Sequence, residues 1–172
     1  MTRSARVQLG LFAAFVLSLA GVSHGDDANT ALDQLFPKSE LQIATPDARV
    51  HRFQVWVADD DAHRQRGLMF VKHMAQDAGM LFAYPSPRTV SMWMKNTVLP
   101  LDMLFVDGTG KVAKVAENTT PFSLQTIDSE VPVVAVIELN AGTCSRLHIR
   151  AGARVIHALF GNETEGVRNA QR

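Results

Sequence analysis

Short apolar segments separated by turn-forming residues recur from residue 40 to residue 160, and this pattern constrains the fold more than any other feature. The segments "LQIAT" and "VHRFQVWVA" lie on either side of "PDAR", and "LDMLFV" and "KVAKVAEN" lie on either side of "DGTG". Pro-Asp and Asp-Gly favour tight turns, and apolar segments between such turns are typical of strands. The sequence therefore predicts a mostly β fold, namely a single compact β-sandwich or barrel with one or two short helices.

Four more strands and two helical pieces complete this prediction. The strands are expected in "GMLFAY" (79–84), which should end at "PSP", and in "TVSMWMKNT" (89–97), "VVAVIELN" (133–140) and "ARVIHALF" (153–160). The segment "DDDAHRQRG" predicts a short helix, since Asp59 or Asp60 can cap its start and Gly67 can end it. The segment "CSRLHI", opened by Thr143, predicts a single helical turn.

The first 25 residues have the composition of a secretory signal peptide. Two arginines precede the apolar run "LGLFAAFVLSLAGV", and Ser23 and Gly25 are small residues that suit cleavage before Asp26. The segment "SLA", which ends at Ala20, is a second possible cleavage site. We therefore expect a periplasmic or secreted protein with no stable membrane span after cleavage. The alternative is an uncleaved anchor, for which the apolar run is short.

The chain of 172 residues suits one domain, and its hydrophobic fraction of 47% is typical of globular proteins. After the signal peptide we expect a leader over residues 26–39, a single β-domain over 40–160 and a flexible tail over 161–172. The leader is expected to pack weakly through its few apolar residues, Leu32, Leu35 and Phe36. The 17 basic and 17 acidic residues balance, so neither nucleic acid nor an anionic surface is favoured as a partner.

Cys144 is the only cysteine of the sequence, so the chain has no internal disulfide. An exported protein without a disulfide must be stabilised by its core alone. A free cysteine commonly behaves as a small buried apolar residue, and we prefer this interpretation of Cys144 to a reactive thiol.

Six short motifs, in a fixed order, give the chain a resemblance to a known family. They are "RGLM" (66–69), "GMLF" (79–82), "WMKNT" (93–97), "PLD" (100–102), "GKV" (110–112) and "ELNAG" (138–142). Over roughly residues 50–157 the chain resembles domain-of-unknown-function family 192, a set of small, often exported bacterial and archaeal proteins. The resemblance implies a compact, mostly β fold and no particular activity. Family members tend to carry Gly-Asp before the last strand, where this chain has Ala153, so no ligand role is implied for that position.

The segment from residue 90 to residue 97 mixes large apolar residues with polar ones, which is unusual for a strand. Alternation along a strand would divide these residues between two faces. One face would hold Val90, Met92, Met94 and Asn96, and the other Ser91, Trp93, Lys95 and Thr97. A Trp beside a Lys can form an aromatic wall with a neighbouring cation, which suits a sugar or an anion. The alternative is that Trp93 caps the sheet and the Lys95 stem lies across it.

Two carboxylates complete the candidate site. Asp102 stands at the entry of one predicted strand, and Glu138 interrupts an otherwise aliphatic one. A buried carboxylate is costly unless it is paired, and Arg66, Lys95 and Asp102 are the candidate partners of Glu138. Two interpretations stay open, a structural network of ion pairs and hydrogen bonds or a shallow polar pocket. The candidate site residues are Arg66, Trp93, Lys95, Asn96, Asp102 and Glu138.

Three functions follow from these residues. We favour a binding module without catalysis or cofactor, whose partner is a small ligand or a component of the cell envelope. The first alternative is a hydrolase in which Lys95 works with Asp102 and Glu138, because a lysine and two carboxylates can perform acid–base chemistry. The second is a periplasmic copper-binding protein, since six methionines lie between residues 69 and 103 and thioethers are ligands for Cu(I). The histidines have no ligand spacing, so we predict no metal site.

Overall fold

The computed structural model describes residues 25–163. Residues 1–24 of the predicted signal peptide and residues 164–172 of the predicted tail lie outside this range. The described part contains α1 (Gly25–Leu35), β1 (Lys38–Ala44), β2 (Val50–Ala58), α2 (Asp61–Arg66), β3 (Ala78–Arg88), β4 (Ser91–Met92), β5 (Leu101–Val106), β6 (Val112–Ala116), β7 (Ile127–Asp128), β8 (Val133–Asn140), α3 (Thr143–Leu147), β9 (Arg154–Ile156) and a 3-10 helix (Ala158–Phe160). Within these residues, no helix has the length and apolar character needed to cross a membrane.

Seven strands form one curled sheet in the order β6-β5-β8-β3-β2-β1-β9. Neighbouring strands in this sheet are antiparallel, except that β2 and β3 are parallel and are connected through α2. The two edges of the sheet come together, because Lys111 bridges Arg154 and the Val112 N–H donates to the Ala153 carbonyl at 2.8 Å. The prediction of a mostly β, barrel-like domain with short helices is therefore confirmed.

Closure of the sheet depends on a glycine. The Val155 N–H donates to the Gly110 carbonyl at 2.7 Å, which brings the two backbones into contact. Gly110 has a φ of 85°, and a Cβ at this position would lie 2.6 Å from the Val155 carbonyl oxygen. Only glycine fits this backbone conformation and this close approach.

Alternation along the strands divides the apolar residues into two clusters, one on each face of the sheet. All seven strands contribute to the inner cluster, through residues such as Ile43, Val55 and Ile137. The outer cluster lies on the opposite face, where α1, the segment after α2 and residues 90–94 cover the sheet. The covering segments leave part of the outer face accessible.

The leader packs firmly, contrary to the expectation from its polar sequence. Leu32 and Phe36 are 1% and 3% exposed and belong to the outer cluster, whereas Leu35 is exposed. The Trp56 indole N–H donates to the Asp33 carboxylate at 2.8 Å, which ties α1 to β2. Residues before position 40 are therefore part of the domain, and β1 itself begins at Lys38.

Strand β3 continues through Pro85-Ser86-Pro87 to Arg88, although the prolines predicted its end after Tyr84. The register with β8 shifts between Ala83 and Arg88, so the intervening residues lie in an irregular, bulged stretch. Proline is tolerated at such a bulge because no ladder hydrogen bond requires its missing N–H.

The predicted strand over residues 89–97 is wrong beyond Met92. Strand β4 is short and pairs with β7 in a separate two-stranded sheet. The Thr97 N–H then donates to the Met94 carbonyl at 3.0 Å, and Asn96 has a left-handed φ of 56°. The chain therefore turns at a point where the sequence predicted an extended strand. The last strand is likewise shorter than expected, since β9 ends at Ile156 and a 3-10 turn follows.

Candidate functional site

A pocket of about 430 Å³ opens on the outer face of the sheet, between α2, the end of β3 and the loop after β4. Four of the six predicted site residues line this pocket, namely Arg66, Trp93, Lys95 and Glu138. The structure adds three side chains that the sequence did not single out, namely Arg64, Tyr84 and Arg88. Asn96 and Asp102 do not line the pocket.

Helix α2 forms one wall of the pocket and is fixed at both ends. Asp60 caps it by accepting from the His63 N–H at 2.7 Å, and Gly67 ends it, as predicted. The Arg64 guanidinium donates to the Ala83 carbonyl on β3 and to the Asp61 carboxylate, each at 2.7 Å. This hydrogen bond and ion pair lower the pKa of Asp61. Arg64 therefore holds the helix against the sheet, and its charge is largely neutralised locally.

Three cations at the pocket have no carboxylate within ion-pair distance among residues 25–163. These cations are Arg66, Arg88 and Lys95. The Arg66 guanidinium donates to the Met69 carbonyl, and the other two cations lie beside aromatic rings. Arg88 lies 5.8 Å from the centroid of the Tyr84 ring, and the Lys95 ammonium lies 5.2 Å from that of Trp93. The pocket therefore presents positive charge next to aromatic faces, and this charge is available to an anion.

Glu138 lies in the pocket but has almost no contact with solvent. It is 4% exposed, and its register neighbours on either side, Met80 on β3 and Met103 on β5, are fully buried. Within the described part of the chain, the carboxyl group has neither a hydrogen-bond nor an ion-pair partner. Burial therefore raises the pKa of Glu138 from 4.5 to about 8, which makes the group a neutral acid at pH 7. The predicted pairing of Glu138 with Arg66, Lys95 or Asp102 is wrong.

Asp102 lies on the opposite face of the sheet from Glu138. It pairs in register with Leu139, the residue after Glu138, and successive residues of a strand point to opposite faces. Its carboxylate is fully buried and accepts from the Asn118 N–H at 2.9 Å and the Cys144 N–H at 2.8 Å. Asp102 therefore stabilises the loop after β6 and the start of α3, and its side chain does not line the pocket.

Cys144 is buried, as the sequence indicated. Burial, together with the nearby Asp102, raises the pKa of its thiol. A thiol in this environment stays protonated and unreactive.

Asn96 shapes the pocket loop without lining the pocket. Its left-handed backbone is one that asparagine tolerates better than most residues. The Asn96 carbonyl accepts from the Phe70 N–H at 2.9 Å, which joins the loop after β4 to the segment after α2. This contact fixes the loop of Lys95 relative to the segment that directly follows Arg66 and α2.

The methionine sulfurs serve packing and hydrogen bonding. Met80, Met94 and Met103 are fully buried in the outer cluster. The Met94 sulfur accepts from the Thr119 hydroxyl at 3.2 Å, and the Met92 sulfur lies 3.8 Å from the Tyr84 hydroxyl. The methionines are thus spread through a core in which their flexible side chains fill gaps.

Tyr84 and Arg88 were missed because "PSP" was interpreted as the end of a strand. Both lie on the irregular continuation of β3, one on each side of the prolines. Burial raises the pKa of Tyr84, while the neighbouring Arg64 and Arg88 act in the opposite direction. The available signal was the spacing of Tyr84 and Arg88, four positions apart. This spacing indicates a shared site only when the bulge between them is known.

Comparison with known proteins shows that this domain recurs in other bacterial proteins. No curated protein matches the chain. A crystal structure from Sinorhizobium meliloti 1021, described as a "putative transcription regulator", is 44% identical, covers 72% of this chain and 96% of its own, and superposes with a TM-score of 0.71. A protein of unknown function from Novosphingobium aromaticivorans DSM 12444 is 31% identical, covers 70% of this chain and 85% of its own, and has a TM-score of 0.67. The sequence profile of DUF192, described as an uncharacterized ACR, matches residues 42–157, and the chain therefore belongs to the DUF192 family.

Proposed function

We propose that this protein is an exported binding module whose pocket takes a small ligand with an anionic group beside a sugar or another ring. The observation that carries the proposal is the group of three unpaired cations, Arg66, Arg88 and Lys95, at one pocket with two aromatic rings. The N-terminal basic, apolar and small-residue pattern supports export to the periplasm or the medium.

Each part of the pocket has a distinct role in this proposal. The guanidinium of Arg88 can bind a carboxylate or phosphate through two parallel hydrogen bonds, and Lys95 adds a point charge. The rings of Trp93 and Tyr84 offer flat apolar faces for a ring of the ligand. Glu138, as a neutral acid, can donate a hydrogen bond to a ligand oxygen without repelling its negative charge.

Hydrolysis by Lys95 with Asp102 and Glu138 has less support. Two carboxylates that act on one bond must face the same substrate. Here Asp102 and Glu138 lie on opposite faces of the sheet, and both oxygens of Asp102 are occupied by backbone donors. The pocket holds Glu138 as a neutral acid and the Asp61 carboxylate paired with Arg64. Its other three cations have no carboxylate partner among the described residues, which is an arrangement for holding an anion.

Titration calorimetry with D-glucuronate, glucose 6-phosphate and glucose tests the proposal. We expect binding of at least one anionic sugar, no comparable binding of glucose, and a loss of affinity of about tenfold or more in Arg88→Gln, since one charged hydrogen-bonded contact accounts for that much. Arg150→Gln, which removes an exposed cation outside the pocket, is the matched control and should bind like wild type. Equal binding of glucose, or unchanged affinity in Arg88→Gln, would contradict the proposal.

A further inference from the structure

Three loops meet next to the pocket and expose large apolar side chains. The loops are residues 67–73, which follow Arg66 at the end of α2, and residues 93–99 and 119–126. The Phe122 N–H donates to the Thr97 carbonyl at 3.1 Å, and the Met94 N–H donates to the Ser123 carbonyl at 3.1 Å, so the third loop joins the two that Asn96 connects. The side chains of Phe70, Trp93, Phe122 and Leu124, here called the aromatic rim, are 62%, 46%, 60% and 69% exposed.

Two residues of the aromatic rim are bulky and exposed, although their backbone conformation favours glycine or asparagine. Phe70 and Phe122 have φ values of 67° and 61°, in the left-handed region that glycine and asparagine adopt readily and bulky residues do not. A phenylalanine in water at such a position stabilises neither the turn nor the core. An exposed apolar patch of this kind is typical of a surface that contacts another surface.

Positive charge dominates at two of the three loops that form the aromatic rim. Arg66 at the end of α2, Lys72 and Lys95 lie in or beside the first two loops, which contain no aspartate or glutamate. The third loop carries no charge, and its far side borders Glu117, Asp128 and Glu130. The Arg66 guanidinium lies 5.5 Å from the centroid of the Phe70 ring, so cation and ring are presented together. The overall charge balance, which did not favour an anionic surface, therefore conceals a local positive patch.

We propose that the aromatic rim docks this protein onto an anionic phospholipid surface. Trp93, Phe70, Phe122 and Leu124 enter the headgroup region, where aromatic side chains are favoured, and Arg66, Lys72 and Lys95 face the negative headgroups. The cations beside Phe70 and Trp93 complement a uniformly negative surface, and the uncharged third loop adds apolar contact area. Docking shares Arg66, Trp93 and Lys95 with the pocket, whereas Phe70, Phe122 and Leu124 do not line it, so variants of these three side chains test docking separately from ligand binding.

Tryptophan fluorescence of the full chain with lipid vesicles tests this proposal. The sequence has two tryptophans, and Trp56 is only 4% exposed, so Trp93 reports contact with lipid. We expect vesicles of phosphatidylcholine with 30% phosphatidylglycerol to shift the emission to shorter wavelength, and pure phosphatidylcholine to have a much weaker effect. The shift should be absent in Trp93→Phe, and raised salt should weaken it.

The variant Phe70→Asn/Phe122→Asn isolates the role of the rings. Asparagine suits the left-handed backbone, so the variant should unfold at the same temperature as wild type or higher. It should need about tenfold more anionic lipid for the same shift, because the apolar area of two rings is lost. The control Leu159→Asn removes an apolar side chain, 38% exposed, outside the three loops and should behave like wild type. An emission spectrum that anionic vesicles leave unchanged, or a shift that the double variant retains in full, overturns the proposal.

Discussion

At the scale of single residues, the carboxyl groups of Asp102 and Glu138 lie at neighbouring positions of paired strands but in different environments. Glu138 lies between buried methionines without a partner, whereas Asp102 accepts from two backbone N–H groups on the other face of the sheet. The sequence showed that both are acids within apolar strands, where a buried carboxyl group must be hydrogen-bonded, paired or neutral. It could not show which backbone donors would reach Asp102, because those donors come from residues 118 and 144, distant in the chain.

Replacing Glu138 by glutamine should remove a pH dependence of stability. The pKa of Glu138 is raised from 4.5 to about 8 in the folded protein. Between pH 4.5 and pH 8 the folded state therefore holds a proton that the unfolded chain has released. Its contribution to stability is therefore complete below about pH 4.5 and is lost as the pH rises through 8. Relative to Glu138→Gln, wild type should lose on the order of 2–4 kcal/mol of unfolding free energy between about pH 5 and pH 9.

Urea unfolding at several pH values measures this difference. Glu40→Gln, which changes an exposed glutamate, should retain the pH dependence of wild type. A strong loss of stability in Glu138→Gln at pH 7 would show that the carboxylate has a charged partner and would refute the neutral-acid description.

Asp102→Asn should destabilise the domain at all pH values near neutrality. An amide can offer only one oxygen, so its NH₂ group would face either the Asn118 N–H or the Cys144 N–H, donor against donor. We expect a cost of about 2–4 kcal/mol, as for other buried polar groups left unsatisfied. Guanidinium unfolding measures this cost, with Asp77→Asn on the exposed surface as the control. A cost within the error of the control would mean that these hydrogen bonds are dispensable.

At the scale of elements, the sequence predicted those pieces whose signals are local. The cap at Asp60, the end of α2 at Gly67 and the hairpin of β5 and β6 follow from residues within a few positions of one another. The strand predicted over 89–97 failed because its course depends on other loops, through contacts such as Phe70 N–H to Asn96 carbonyl. Alternation still described burial as far as Lys95, since Met94 is buried while Trp93 and Lys95 are exposed, but it failed at Thr97, which is buried. The pattern of burial was therefore more predictable than the backbone path.

The turn after β4 should tolerate the loss of its exposed side chains. Lys95 has no carboxylate partner among the described residues, and Trp93 is 46% exposed, so Lys95→Met and Trp93→Ala should each cost about 1 kcal/mol or less. Met94→Ala, which truncates the fully buried residue between them, should cost about 2–5 kcal/mol and provides the contrast. Denaturant unfolding separates these cases. If Lys95→Met were as destabilising as Met94→Ala, Lys95 would be a structural residue and its place in a ligand pocket would be untenable.

At the scale of the whole molecule, the leader and the barrel form one unit around the pocket. Phe36 packs against His63 of α2, with ring centroids 4.9 Å apart, and α2 supplies Arg64 and Arg66 to the pocket. The sequence of the leader did not reveal this, because three apolar residues in a polar segment are too few to indicate what they pack against.

Phe36→Ala should therefore affect both stability and ligand binding. Loss of a buried phenylalanine typically costs about 3–5 kcal/mol, and here it also removes the support of α2. Leu35→Ala, at the neighbouring position with 49% exposure, is the matched control and should be close to neutral. Thermal unfolding and titration of the two variants measure both effects. A neutral Phe36→Ala would indicate that the leader is peripheral after all.

Closure of the sheet has a consequence for the nascent chain. Strand β9 pairs with β1, and its residue Arg154 bridges Lys111, so the same three-residue strand joins both edges of the sheet. Until Arg154–Ile156 has left the ribosome, β1 and the start of β6 each keep an unpaired edge. Synthesis of almost the whole domain must therefore precede completion of the barrel, and the timing of folding is set by one of its shortest elements.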